Sequence, residues 1–168
     1  MIGAIVGYFL TAILLLCCRL GRIVPLNYIL VTIFTLCLST MVGFIAAQYE
    51  PRVVTAAAVC TAGMVIGITV FAFTTKKDFT VFGPVLFVVG FAFAFILPFF
   101  FMWNNTLHLI YAYIGVILFS FYLLFDTQLI MGGKRYAIDI DDYIMAAMIL
   151  YLDIINIFLQ LLKIFGNK

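Results

Sequence analysis

Long apolar stretches dominate the chain and restrict what it can fold into. Six of them cover roughly residues 1–18, 26–47, 53–74, 79–102, 107–131 and 143–165. A helix crosses the hydrocarbon core of a bilayer with about 20 residues, whereas a barrel strand needs only about 10. In lipid, backbone groups must be hydrogen-bonded within the protein, and a helix achieves this within one segment. The pattern therefore predicts an all-α integral membrane protein with six transmembrane helices.

The composition supports lipid as the solvent. Hydrophobic residues make up 67% of the 168 residues and charged residues only 10%, whereas soluble domains are about half apolar and about a quarter charged. The connectors between the predicted spans are short, so neighbouring helices should run antiparallel. We expect one helical bundle domain over residues 1–168 with the lipid bilayer as its partner. The basic residues are scattered, and the net charge of +2 gives no reason to expect nucleic-acid binding.

Lysine and arginine in the connectors predict the orientation. Cytosolic loops are enriched in these residues. One side of the predicted bundle carries six of them and the other side three: Arg19, Arg22, Lys76, Lys77, Lys134 and Arg135 against Arg52, Lys163 and Lys168. The first side is therefore expected to be cytosolic, with the C-terminus lumenal or extracellular. Alternatively, the last segment re-enters the membrane and leaves its tail in the cytosol.

Two of the seven acidic residues lie inside predicted spans. Asp153 is about ten residues into the last span, roughly 15 Å deep at 1.5 Å per residue, where a carboxylate costs about 2.5–3.5 kcal/mol. Asn156 and Gln160 follow at i+3 and i+7 on the same helical face. This polar stripe should face the protein interior or water, either as an ion path or as a structural hydrogen-bond cluster. The other acidic residues fall in connectors, where solvation accounts for them: Glu50, Asp78, Asp139, Asp141 and Asp142.

Asp126 is the second buried acid, in the segment LLFDTQLIMGG. If Gly132 is the C-cap of the fifth helix, Asp126 lies more than one turn inside the cytosolic end. It is either an interfacial side chain that reaches water or a partner of Asp153. Two carboxylates in a low-dielectric site cannot both ionise cheaply and would share a proton. The pair would then be a proton-sensitive latch, with Arg19 and Arg22 as the nearest basic residues by depth.

Residues for catalysis are scarce. The chain has one histidine, His108, and only Ser39 and Ser120 as serines, so neither a nucleophile with its base nor a zinc-ligand set is expected. The four cysteines lie in apolar runs and are interpreted as packing residues: Cys17, Cys18, Cys37 and Cys60. We expect no enzymatic activity and no cofactor.

Small residues and prolines within the spans predict local features of helix packing. The GxxxG patterns Gly3–Gly7 and Gly63–Gly67 are candidates for close helix contacts. Pro98 is expected to kink the fourth span because a proline removes a backbone donor.

Several segments together resemble the Bax inhibitor / lifeguard transmembrane family, and its lifeguard branch in particular. They are LYLDIINIFLQLLKIFG, FDTQLIMGG, CCRLGRIVPLNYILVTIFTLCLSTMVGF and FAFTTKKDFT. The resemblance covers essentially the whole chain. It implies a seven-helix bundle in which the last helix is central and surrounded by the other six. This chain matches from the second helix onward, so we expect the first helix and the hydrophilic leader to be missing.

The resemblance implies a pH-sensitive calcium-permeable leak of intracellular membranes that suppresses cell death. By motif, the aspartate pair that closes the pore in relatives falls on Asp126 and Asp153, and the arginine that interacts with the pair falls on Arg19, with Arg22 as the alternative. Calcium would be the permeant ion, bound transiently by oxygens of Asp126, Asp153 and Asn156. The endoplasmic reticulum or Golgi is the expected location, and the plasma membrane also fits. The rival hypothesis is a non-conducting adaptor that binds death-regulating membrane proteins through the 132–142 loop.

Overall fold

The structure, a computed structural model, describes residues 2–17, 20–96 and 104–167, with the side chains of residues 16, 17 and 20 left out of the description. The described ranges contain helices and connectors and no strand. The helices are α1 (Ile2–Cys17), α2 (Leu26–Ala46), α3 (Pro51–Thr74), α4 (Gly83–Ile96), α5 (Asn105–Met131) and α6 (Tyr143–Gly166). Short 3-10 turns precede α2, α4 and α6 at Leu20–Arg22, Thr80–Phe82 and Ile140–Asp142.

Four of the described helical segments are long and apolar enough to cross a membrane. They are Leu26–Ala46, Pro51–Thr74, Asn105–Met131 and Ile140–Gly166, with mean hydropathy between 2.0 and 2.3. The prediction of an all-helical membrane protein is confirmed. The described parts of α1 and α4 are shorter, so six crossings stay a prediction. Pro98 and the rest of the predicted fourth span lie outside the described residues.

The chain divides into two compact units. The first unit comprises Met1–Glu50 and Ile138–Ile149, and the second comprises Pro51–Ala137 and Leu150–Lys168. The single bundle domain and the central position of the last helix stay predictions.

In the first unit, α1 packs against α2 through an aromatic and small-residue contact. The ring of Tyr8 stacks on that of Phe34 at 5.1 Å between centroids, and Phe34 is fully buried. A Cβ on Gly7 would lie 2.8 Å from Cys37 Sγ, so glycine there permits the close approach. Of the two predicted GxxxG patterns, only this position is a close contact among the described residues, since a Cβ added at Gly3, Gly63 or Gly67 would meet nothing within 4 Å. Cys37 packs as predicted, whereas Cys60 is exposed.

In the second unit, α5 packs against α3 and α4. The tyrosine hydroxyls of α5 donate to backbone carbonyls of α4: Tyr122 Oη to Leu86 at 2.6 Å and Tyr111 Oη to Phe93 at 3.1 Å. A Cβ on Gly90 would overlap the Tyr122 hydroxyl. Position 90 therefore needs a residue without a side chain, because the Tyr122 hydroxyl of α5 occupies the space that a Cβ would fill. The side chains of Phe87, Phe91 and Phe95 on α4 are at least 65% exposed, which suits a face in contact with lipid.

The ends of α5 follow local capping chemistry. The Asn104 side chain accepts a hydrogen bond from the Leu107 N–H at 3.0 Å, at the helix N-terminus. The predicted C-cap is confirmed, because Gly132 follows Met131 with φ of 70°, a left-handed conformation that glycine adopts without steric cost. These two caps set the length of the helix that carries Asp126.

The turn of residues 75–80 is anchored by polar contacts within the second unit. Gln128 is fully buried; its Oε1 accepts from the Phe79 N–H at 2.8 Å and its Nε2 donates to the Lys77 carbonyl at 3.1 Å. Lys134 Nζ donates to the carbonyls of residues 75, 76 and 77 at 3.3 Å each. The turn is thereby tied both to the interior of α5 and to the loop that follows it.

Asp78 closes the same turn and has specific partners beyond the solvation predicted for it. Its carboxylate accepts from Thr80 Oγ1 at 2.6 Å, from the Thr80 N–H at 2.9 Å and from the Arg135 N–H at 3.1 Å. The Thr80 hydroxyl is the main reason that the pKa of Asp78 lies below its usual range; the two N–H donors and the charge of Lys134 add to this effect, and burial opposes it.

We predict that Gly90→Ala lowers the free energy of unfolding by about 1–3 kcal/mol, because the new methyl group displaces the Tyr122 hydroxyl from Leu86. Thermal unfolding in detergent measures the change. Gly67→Ala is the matched control, since nothing lies within 4 Å of its added Cβ. Equal effects of the two substitutions would contradict the packing of Tyr122 on Gly90.

We also predict that Asp78→Ala lowers the thermal midpoint most at neutral pH. Because the folded pKa of Asp78 is depressed, its contribution is complete above the ordinary aspartate pKa of about 3.9 and is lost as the pH falls through the lower folded value. The difference between wild type and variant should therefore shrink below about pH 4. Asp141→Ala, at an exposed position, is the control. A difference that does not change with pH would show that the carboxylate charge is not responsible.

Candidate functional site

The predicted polar face of α6 lies in the part of this helix that belongs to the second unit. Asp153 and Gln160 are 7% and 5% exposed, and Asn156 between them is half-buried. Asn156 Nδ2 donates to the Leu152 carbonyl one turn earlier at 2.8 Å, which leaves its Oδ1 as an acceptor on the polar face. Successive positions at i+3 and i+7 share one side of a helix. The helix therefore presents a row of side-chain oxygens on one face.

Asp126 occupies a polar segment of α5 that is buried on every side. Its side chain is 6% exposed, as is that of Thr127, and Gln128 is completely buried. Thr127 Oγ1 is satisfied by the Leu123 carbonyl at 2.6 Å. Asp126 is thus a buried acid in this structure and not an interfacial side chain that reaches water.

Asp126 and Asp153 lie in the second unit, and their buried carboxyls are close enough to interact electrostatically. A hydrogen bond between two carboxyl groups needs a donor, so a bond between these two would require one of them to carry a proton. Asp153 Oδ2 is buried and has no hydrogen-bond partner among the described residues. The site therefore contains two neighbouring acids, one of which has a buried acceptor oxygen without a partner.

Of the two arginines predicted to interact with the aspartate pair, the structure describes only Arg22. Arg19 lies outside the described residues. Arg22 belongs to the first unit, where its Nε and Nη2 donate to the two carboxylate oxygens of Asp142 at 2.6 Å each. Asp139 is 3.9 Å from the same guanidinium. The hydrogen bonds that Arg22 donates to Asp142 raise the pKa of Arg22 above its usual range. A role of either arginine at the aspartate pair stays a prediction.

The Arg22–Asp142 pair is part of a wider polar cluster in the first unit. Asn27, which is fully buried, donates to Tyr143 Oη at 2.8 Å and to the Gly21 carbonyl at 3.2 Å. These bonds hold the turn before α2 against the start of α6. Within this cluster, the Arg22 guanidinium is held by a bidentate ion pair, which is the strongest geometry for such a contact.

Sequence reasoning missed Gln128, although it lies in the same segment as Asp126. A buried amide costs free energy unless it is hydrogen-bonded, and the argument that singled out Asp153 applies to Gln128 in weaker form. Its partners are backbone groups of a turn far away in sequence, which no local pattern shows. No cluster of three histidine, cysteine or acidic side chains that could hold a metal occurs in the described ranges.

We predict that Gln128→Leu lowers the free energy of unfolding by about 1–3 kcal/mol, because the Phe79 N–H and the Lys77 carbonyl lose their partner. Leucine has a similar volume, so little of the loss should come from packing. Thermal unfolding measures the change, and Gln48→Leu, at an exposed position of the first unit, is the control. A loss no larger than that of the control would show that Gln128 does not anchor the turn.

Comparison with known proteins places the chain in a family. The family model described as "Inhibitor of apoptosis-promoting Bax1" matches residues 1–168. Protein lifeguard 3 of Homo sapiens is 37% identical over 169 residues, which cover 96% of this chain and 54% of the human protein. Protein lifeguard 3 of Mus musculus is 39% identical over 169 residues, with 95% and 54% covered. Protein LIFEGUARD 4 of Arabidopsis thaliana is 41% identical over 147 residues, with 84% and 58% covered.

The match extends over the whole chain but not over the whole of the relatives. The chain spans about half the length of the curated relatives that it matches. The resemblance deduced from the acidic motifs of α5 and α6 is confirmed by the family match. The chain belongs to the Bax1-I family, the inhibitors of apoptosis-promoting Bax1.

Proposed function

We propose that this chain forms a pH-sensitive, calcium-permeable leak in a cellular membrane, gated by the Asp126–Asp153 pair. The observation that supports the proposal is that two buried carboxyls of the second unit are close enough to interact electrostatically. The proposal also includes an anti-apoptotic role, which the family supports, and a location in the endoplasmic reticulum or Golgi.

Gating would follow from the charge state of the pair. With one proton shared, the hydrogen bond joins α5 to α6. Without that proton, two negative charges face each other where the dielectric constant is low, and their repulsion is strong unless a cation lies between them. The protonation state thus decides whether the two helices attract or repel each other at this point.

The chemistry of the polar face suits calcium as the permeant ion. Calcium prefers oxygen ligands and tolerates irregular geometry. Asp126, Asp153 and Asn156 could offer such oxygens in sequence, and Gln160 adds another on the same face. Two carboxylates without further acidic ligands give a weak site, and a weak site suits an ion that must leave again.

Calcium flux into liposomes tests the proposal. Full-length protein is reconstituted into calcium-free liposomes that contain a fluorescent calcium indicator, and flux is measured over a series of pH values. Wild-type flux should depend on pH, and Asp153→Asn should change that dependence because asparagine does not titrate and leaves Asp126 without an acidic partner. Asp141→Asn, which removes an exposed carboxylate, should behave as wild type. Equal, pH-independent flux in all three proteins would contradict the gating role, and absence of flux would contradict the leak.

A second candidate function is a non-conducting adaptor for death-regulating membrane proteins. The residues between α5 and α6 favour it, because Tyr136 before the last candidate span is 51% exposed and Ile140 at its first position is 91% exposed, and exposed apolar side chains at such a boundary are available to a protein partner. If liposomes show no flux while cells expressing the protein still resist death, and Ile140→Ser removes that resistance, the adaptor function is supported.

A further inference from the structure

The polar face of α6 continues beyond the aspartate pair toward the C-terminal end of the helix. Gln160 lies seven residues after Asp153, about 10 Å along the axis, and Lys163 follows three residues later. On the neighbouring helix α5, the matching positions run in the opposite direction: Asp126, Gly115 and Tyr111. Three contacts therefore lie in order along one α5–α6 seam within the second unit.

Gln160 has the features of a ligand position. Its side chain is 5% exposed and its Oε1 has no hydrogen-bond partner among the described residues. A Cβ on Gly115 would lie 2.8 Å from Gln160 Cδ and Nε2, so a larger residue at position 115 would displace the amide from its observed position. A buried acceptor without a partner is destabilising on its own, and an amide oxygen is a ligand that calcium accepts.

Lys163 places a positive charge one turn beyond Gln160. Its Nζ lies 5.9 Å from the centre of the Tyr111 ring, within reach of a cation–π interaction. The Tyr111 ring is itself held by a stacking contact with Phe93 at 4.0 Å and by its hydroxyl bond to the Phe93 carbonyl. The aromatic platform beneath the ammonium is therefore fixed to both α4 and α5.

We propose that Gln160 is a second coordination position for the permeant cation and that Lys163 is an electrostatic barrier that limits cation passage beyond it. The inference rests on the proposed leak and adds to it a control of rate and of selectivity between divalent and monovalent ions. An ion that leaves Gln160 along the seam meets the ammonium of Lys163. The height of that barrier is proportional to the charge of the ion.

The charge dependence gives a signature that a merely structural lysine would not produce. If removal of the ammonium accelerates a monovalent ion by a factor f, it accelerates a divalent ion by f squared. Even with the dielectric constant of water, a unit charge at about 6 Å corresponds to about threefold for potassium and about tenfold for calcium.

The experiment compares calcium and potassium flux in the same liposome preparation, with indicators for each ion. Lys163→Gln should raise calcium flux about tenfold and potassium flux about threefold. Lys163→Arg, which keeps the charge, should retain the wild-type ratio of the two fluxes. Lys76→Gln, an identical change at an exposed position of the turn, should leave both fluxes unchanged.

Gln160 is tested by two further variants, which also cover the case that Lys163→Gln does not fold. Gln160→Leu keeps the volume but removes the oxygen and should lower calcium flux more than potassium flux. Gln160→Glu adds a charge beside Lys163 and should raise calcium flux relative to potassium flux. Circular dichroism in detergent confirms that each variant retains its helices.

The outcomes separate the inference from the proposed function. No calcium flux in wild type overturns both. If wild type conducts and Asp153→Asn changes the pH dependence, but the ratio of calcium to potassium flux is the same in wild type, Lys163→Gln and both Gln160 variants, only the inference is overturned. The inference is supported if Lys163→Gln raises calcium flux by the square of the factor by which it raises potassium flux.

Discussion

The burial of two neighbouring acids, Asp126 and Asp153, is the constraint on which the account of this protein depends. Both carboxyls are more than nine-tenths buried, and a lone ionised carboxylate in such a place would be far costlier than a neutral pair. Under the proposed function, each acid reduces the cost of burying the other only while the two share a proton. Such a contact would be stable in one charge state and unstable in another, which suits a gate better than a permanent link.

The second unit is held together largely by polar contacts and close backbone approaches. Between helices in lipid there is little hydrophobic driving force, so packing of small residues and interhelical hydrogen bonds take its place. Helix α5 supplies most of these contacts. Tyr122 contacts α4, Gln128 contacts the turn of residues 75–80 and Gly115 contacts Gln160. The helix that carries Asp126 is therefore held by contacts at several points along its length. A change in the charge of the pair would act on α6 against a fixed neighbour.

Local chemistry allowed part of this to be predicted from the sequence. Asp126 and Asp153 were identified because a charge in an apolar stretch is expensive, and Gly132 because a glycine after a helix is a common C-cap. The need for glycine at Gly90 was not predicted, since it arises from Tyr122 on another helix. The same holds for Gln128, whose partners are backbone groups of a turn distant in sequence, and for the bond that Asp78 accepts from the Arg135 N–H. The GxxxG pattern at Gly63–Gly67 predicted a contact that is absent among the described residues, because the pattern alone does not specify which face meets a neighbour.

The coupling free energy between the two aspartates tests the central claim most directly. It is obtained from the unfolding free energies of wild type, Asp126→Leu, Asp153→Leu and the double variant in one detergent at one pH. Each single substitution leaves a buried carboxyl without its partner, whereas the double variant leaves none. The account predicts that the double variant loses less stability than the sum of the single losses, by about 1 kcal/mol or more. Losses that add to within about 0.5 kcal/mol would contradict it, because independent carboxyls cannot form the gate.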